Sequence, residues 1–406
     1  MRRILSAVLL MLPAWLYAGG FQLGTQGQQV MGMGGSVTGF ALDASSAFYN
    51  PGALISLKGS SIDAGVSLLM PEIVFRGTYG GNEYAGSSLA LPAYIYGMYK
   101  FRERLVFGLS VNSPFGFHTR WEDDWSGRYI VQNSRLSTLC VQPTASFRVN
   151  DWLSIGGGAV LTRGTYEQQR ALNIRQGGSP EAGVQLKGSG SALGVNAGVF
   201  AEWSKTSLGL TYRSAMEVPI DDGEVVFNSL PAFYTSTGAF PSGSVFSTAI
   251  RLPSVISFGI GRTVDENMKL NLEVNVYSWN QSEPIQYSVE KVPYLTSEML
   301  AMEGTILAVR LGGQYRYSAK LALLAGLAFE QTPVQGGDVS PMFPDADRFV
   351  FSGGATYKVK ERIAVNVALR FENMKERREA EEFTDQLIGT YKSYTYVAGI
   401  GINYSF

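Results

Sequence analysis

The chain has 406 residues, a net charge of −1, one Cys and one His. That balance excludes the electrostatic footprint of a nucleic-acid binder, and a single Cys excludes an intrachain disulfide framework. Abundant Gly and Tyr (47 and 21 residues) with only 16 Pro favour long β-strands over helices.

In chain order, Met1-Arg2-Arg3 reads as a basic n-region and Ile4 to Leu16 as an apolar h-region, with cleavage expected after Ala18. The apolar run is too short for a transmembrane helix, and no later run is long enough to cross a bilayer as one. An exported chain without a helical span is either soluble or a closed barrel, the other structure that satisfies every backbone amide in hydrocarbon.

Residues 19–57 do not read as a strand pair. A Gly-rich stretch, Gly32-Met33-Gly34-Gly35, precedes Asp43-Ala44-Ser45-Ser46-Ala47-Phe48-Tyr49-Asn50-Pro51-Gly52. Asp43 is placed to cap a short helical turn that Asn50-Pro51 ends. From residue 58 onward, tight polar turns are expected at 102–103, 150–151, 204–205, 265–267, 318–319 and 360–361. Between them lie longer Gly-, Pro- and acid-rich segments at 77–87, 113–130, 175–190, 229–246, 284–303, 333–347 and 374–390. Seven long loops and six short turns make fourteen strands, the asymmetry of an outer-membrane barrel with both termini in the periplasm.

The intervening runs alternate. Leu270, Leu272, Val274 and Val276 oppose Asn271, Glu273 and Asn275, and the runs 321–330 and 363–372 behave alike. A half-buried soluble sheet would alternate too. A tilted membrane strand needs roughly 9–11 residues, and several of these runs exceed that. The final strand carries Tyr394, Tyr396, Ala398, Ile400, Ile402, Tyr404 and Phe406 on one face, as expected where lipid meets the last strand. The fold class is therefore an all-β transmembrane antiparallel barrel. Its lumen would be too wide to fill with side chains alone, so 19–57 is expected as a plug inside a 58–406 barrel, after removal of the 1–18 signal peptide.

Pro lacks an N–H and Gly weakens a strand, so Pro114, Phe115 and Gly116 mark either a break in strand three or the loop after it. His118 would have to serve any Ser–His–acid hydrolase, but no serine elbow accompanies it. One His and one Cys make no metal site. Asp123-Asp124 and the acids at 376–382 read as solvated loop charges, with a bridge through divalent ions to lipopolysaccharide as a further role. Trp121, Trp125, Trp152 and Trp203 suit interfacial girdles.

The residues Gly20-Phe21-Gln22-Leu23, the run Asp43 to Leu54, Asn112-Ser113-Pro114-Phe115-Gly116, Leu252-Pro253 with Tyr277-Ser278-Trp279, and Thr332-Pro333-Val334 with Pro344 to Phe349 together resemble the FadL/TodX family. These are outer-membrane transporters of long-chain fatty acids and aromatic hydrocarbons. The resemblance implies a fourteen-stranded barrel with an N-terminal hatch, and ligand leaving a lumen pocket sideways through a kink in strand three. It implies that Phe21 reaches the pocket, that Asn50, Pro51 and Gly52 lie in the hatch facing the kink, and that Arg163 or Arg170 on strand five is a candidate partner for a ligand carboxylate. No cofactor is expected. Expected partners are a hydrophobic small molecule, outer-membrane lipid and lipopolysaccharide, and the barrel-assembly machinery through the C-terminal Phe406. A general water-filled porin and an outer-membrane lipid hydrolase remain as alternative functions.

Overall fold

Backbone ladders join the strands of the described residues into one antiparallel sheet that closes on itself. The computed structural model describes residues 20–78, 80–86, 88–174, 181–279, 285–295, 297–336, 338–378 and 387–406. The expected signal peptide and its cleavage site lie outside them.

The strand segments line up as fourteen staves. They are β1 (Ser61–Gly77), β2 (Ala93–Arg102), β3 (Leu105–Asn112, resuming at Gly116–Arg120), β4 (Asn133–Arg148), β5 (Leu153–Ala171) and β6 (Gly183–Trp203). Then come β7 (Thr206–Arg213 and Met216–Asn228), β8 (Val245–Leu252 and Ser254–Thr263), β9 (Met268–Trp279 and Ile285–Val289) and β10 (Ser297–Leu300 and Gly304–Arg316). The set ends with β11 (Leu321–Glu330), β12 (Arg348–Lys360), β13 (Ile363–Met374) and β14 (Gly389–Ser405). Each pairs with the next, and β14 pairs with β1 from Ser61↔Ser405 to Gly77↔Gly389, which removes the last free edge.

All six expected tight turns fall between consecutive staves. The long segments are shorter as loops than their composition suggested. β6 begins at Gly183, and Ile285–Val289 and Ser297–Leu300 are paired within the expected 284–303 loop. Polar composition there does not forbid ladder bonds. It means only that these stave ends face water.

Alternation resolves in favour of a membrane. Leu272, Leu327, Val367 and Leu369 are 47%, 51%, 45% and 66% exposed, while Asn271, Glu273, Asn366 and Arg370 beside them are buried. Apolar side chains point outward and polar ones inward, the reverse of a soluble sheet. On β14, Tyr396, Ile400, Ile402 and Tyr404 likewise face out. Trp152 and Trp203 are exposed at the ends of β5 and β6, as a girdle requires. Trp121 and Trp125 are not girdle residues. They are buried and stacked at 4.2 Å, with their indole N–H groups donating to the carbonyls of Pro341 (3.0 Å) and Val131 (2.6 Å).

Residues 20–57 run through the ring and are largely buried. They form two short helices, α1 (Gln28–Gly32) and α2 (Ser46–Tyr49), and a 3₁₀ turn at Pro51–Ser56. Such short helices are not self-sustaining; bonds to the wall hold them. Gln28 donates to Ser67 of β1 (3.1 Å), Asn196 of β6 donates to the Phe48 carbonyl (2.8 Å), and Ser352 of β12 donates to the Gly32 carbonyl (3.1 Å). Glu273 of β9 accepts the N–H groups of Val37 (2.7 Å) and Thr38 (2.6 Å). Where the two backbones touch, the wall residue is glycine. A Cβ on Gly326 would overlap the Met33–Gly34 backbone, and one on Gly198 would strike Asn50.

Candidate functional site: an aromatic cavity beside a broken strand

β3 breaks because Pro114 cannot donate to the ladder. Both of its pieces pair with β4, but the register shifts by one residue across the break, from Asn112↔Cys140 on one side to Gly116↔Ser137 on the other. The intervening residues turn into the lumen. The sequence left open whether 113–130 is a loop or a kink. The structure has a break at 113–115, five more strand residues, and only then a loop.

The backbone groups freed by the break find partners inside. Gln26 donates to the Ser113 carbonyl (2.8 Å), and the Leu23 N–H to the Pro114 carbonyl (2.8 Å). The Gly116 N–H donates to the Phe21 carbonyl (3.0 Å). Phe115 exchanges both of its groups with Thr138 of β4. Unsatisfied groups at this depth would cost several kcal/mol each, on the order of 1–3 by mutational measures. The N-terminal segment removes that cost.

The wall is open on the other side of the break. β2 and β3 are joined up to Tyr94↔Asn112, and their neighbourhood closes again where the Gly86 N–H donates to the Arg120 carbonyl (2.7 Å). Between these points no backbone hydrogen bond links the two strands among the described residues.

Behind this gap lies a cavity of about 480 Å³, a volume in the range of small-molecule sites. Phe21 lines it and is 2% exposed. Its ring packs against Trp279 (5.0 Å), Phe117 (6.0 Å), Phe343 (6.1 Å) and Phe115 (6.3 Å), separations typical of stabilising edge-to-face pairs. The same cavity touches Leu89 and Leu91, which are 59% and 66% exposed. It therefore reaches from the buried aromatic cluster to the outer face of the barrel.

A buried ion-pair chain adjoins the cavity. Arg348 binds Asp345 (2.8 Å) and Glu372 (3.1 Å), Arg370 binds Glu372 (2.7 Å) and Glu330 (3.3 Å), and Arg310 binds Glu330 (3.1 Å). Arg348 also donates to the Gly20 carbonyl (2.9 Å), which fixes the start of the inner segment beside Trp279. Buried pairs of this kind add little net stability but cost several kcal/mol to break one-sidedly.

The residues singled out from sequence divide. Phe21, Pro114, Phe115 and Gly116 come together at the break. Asn50, Pro51 and Gly52 do not face it. Asn50 donates to the Thr38 (2.9 Å) and Val199 (3.3 Å) carbonyls and accepts the Gly52 N–H (3.0 Å), which sets this turn against the glycines of β5 and β6. Residues 21–26 face the break instead. Arg163 is exposed on the outer face, where it donates to Ser189 (2.8 Å), because it shares the parity of the lipid-facing Leu161. Arg170 has the inward parity but sits near the rim, donating to the Tyr129 carbonyl (3.1 Å). Neither arginine lines the cavity. The sequence reading missed the aromatic roles of Trp279, Phe117 and Phe343 and the whole ion-pair chain. Inward-parity charges on adjacent strands were its only available signal.

A closed barrel with apolar side chains outward, an internal N-terminal segment and an aromatic cavity reaching the wall defines the architecture of an outer-membrane barrel protein. The chain belongs to the outer membrane protein transport protein family (OMPP1/FadL/TodX), whose family model matches residues 10–406. It is 26% identical over 408 residues to the long-chain fatty acid transport protein of Escherichia coli O157:H7, covering 90% of each chain. It is 21% identical to outer membrane protein P1 of Haemophilus influenzae, covering 75% of this chain and 72% of that one. Its fold superposes on that of a Pseudomonas aeruginosa FadL homologue with a TM-score of 0.83 at 19% identity, covering 96% and 100%. For the Pseudomonas putida toluene transporter TodX the TM-score is 0.72 at 13% identity, covering 94% and 98%.

Proposed function

We propose that this outer-membrane transporter takes up a hydrophobic or amphiphilic small molecule from outside the cell, holds it beside Phe21, and releases it sideways into the bilayer between β2 and β3. Residues 19–57 act as a hatch within the 58–406 barrel, so no open water column is needed. The observation that carries this reading is that buried Phe21 and exposed Leu89 and Leu91 line one cavity. The break at 113–115 supplies the gap, and the hatch supplies the hydrogen bonds that keep the gap from collapsing into a ladder.

The test closes the gap. Ala90→Cys and Phe117→Cys in a Cys140→Ala background would be joined by a reducible bifunctional linker in intact outer-membrane vesicles. Uptake of radiolabelled oleate should fall on cross-linking and return on reduction. Unchanged uptake through the linked gap would rule out lateral release. The porin alternative is addressed by deleting 19–57, which should make the barrel leak ions and lose selective uptake. A hydrolase reading would need lipid hydrolysis that disappears in His118→Ala.

A further inference from the structure

Two arginines line the cavity. Arg348 is neutralised by Asp345 and Glu372. Arg135 has no carboxylate within ion-pair distance among the described residues. Its rung neighbour Glu167 is engaged by Lys187 at 3.0 Å.

Arg135 occupies a particular place on β4. Along the outer face of that strand, Phe147, Val141 and Leu139 are apolar, and Ser137 and Arg135 follow. The break in β3 lies opposite this change, between Asn112↔Cys140 and Gly116↔Ser137. The gap thus opens where the outer wall passes from hydrocarbon to polar surroundings. On one side, just before β2, it is lined by Leu89 and Leu91. On the other it is lined by the second piece of β3 and, on the adjacent rungs of β4, by Ser137 and Arg135, with His118 on the same rung as Arg135. One side suits an alkyl chain and the other an anion. A guanidinium is the side chain best matched to a carboxylate, which it can bind through two parallel hydrogen bonds.

We infer that Arg135 is a specificity-determining residue at the lateral gap: it holds the head of an anionic amphiphile of the long-chain carboxylate class while the tail passes along Leu89 and Leu91 into hydrocarbon. This rests on the lateral-release reading above. It places the discriminating charge at the way out rather than beside Phe21, where aromatic rings surround the ligand. A neutral molecule of the same length would pass without using Arg135.

The experiment compares oleate with oleyl alcohol in outer-membrane vesicles carrying the full chain, as wild type, Arg135→Gln, Arg135→Lys and, as a remote control, Arg104→Gln. A charge-assisted hydrogen bond corresponds to about tenfold, so Arg135→Gln should cut oleate flux by about that factor and leave the alcohol unchanged. Arg135→Lys, which keeps the charge but not the two-bond fork, should recover only part of the loss. Equal loss for both probes, or no loss of oleate, overturns the inference. If Arg135 instead binds a phosphate of resident lipopolysaccharide, Arg135→Gln will lower co-purified lipopolysaccharide and leave oleate flux intact, which also overturns it. The cross-linked gap reports separately: if it passes both probes, lateral release itself fails.

Discussion

The hydroxyl of Thr138 lies 3.1 Å from the Phe115 amide nitrogen and 2.7 Å from the Phe115 carbonyl oxygen. One side chain on the intact strand thus accepts and donates for the central residue of the broken one. Thr138→Val keeps the shape and removes both bonds. It leaves the buried Phe115 N–H unpaired, a loss of about 1–3 kcal/mol. Unfolding in detergent, followed by the heat-dependent mobility shift, should show that loss, and Thr138→Ser should show little of it.

Gly326 touches the hatch backbone at Met33–Gly34. Gly326→Val is expected to push the hatch from its seat and raise ion conductance in planar bilayers. Gly97, whose Cβ would meet open space, gives the control: Gly97→Ala should stay closed. A tight barrel in the Val variant would mean that the hatch can shift without opening a path.

Glu273 receives two hatch N–H groups and the Asn275 amide at 2.8 Å. In Glu273→Ala, the Val37 and Thr38 donors lose their acceptor in a buried site. The hatch should then be cut by added protease well before the wall. Equal protection in variant and wild type would show that its other anchors suffice.

Asp43, in the hatch, accepts from the Ser45 N–H (3.0 Å), the Ser45 hydroxyl and Gln29 (3.0 Å). Burial nonetheless pushes its carboxyl above the ordinary value of 3.8, outweighing those bonds. The folded state therefore holds a proton that the unfolded state releases, and docking weakens as pH rises from 3.8 to the raised value. Hatch protection from protease should be greater at the acid end of that window. Asp43→Asn should flatten the dependence.

Phe21→Glu would put a carboxylate among four aromatic rings. Mass spectrometry of apolar molecules co-purified with the barrel should show less bound ligand than wild type. Equal content in both would remove Phe21 from the binding site.

The periodicity of the chain carried most of the architecture. Leu272 and Glu273 differ in parity, and that difference places one in lipid and the other under the hatch. The tight turns were legible because short polar pairs interrupt otherwise unbroken alternation. The partner of each inward charge was not. Arg310, Glu330, Arg370 and Glu372 come from three strands, and their pairing depends on stagger between staves. Asn50 was misplaced for a similar reason: a segment threaded through a ring can address any wall, and its own residues do not say which. Arg163 was decidable, since Leu161 has its parity and needs lipid. Arg163→Ala should accordingly leave uptake unchanged.

The seam between β1 and β14 has a consequence for biogenesis. It unites the first stave made with the last, so both edges must wait, unsatisfied, while everything between them is laid down. The threaded segment precedes β1 and packs against glycines of β6 and β11. If the cylinder is built around its stopper, zipping the seam is the act that imprisons it.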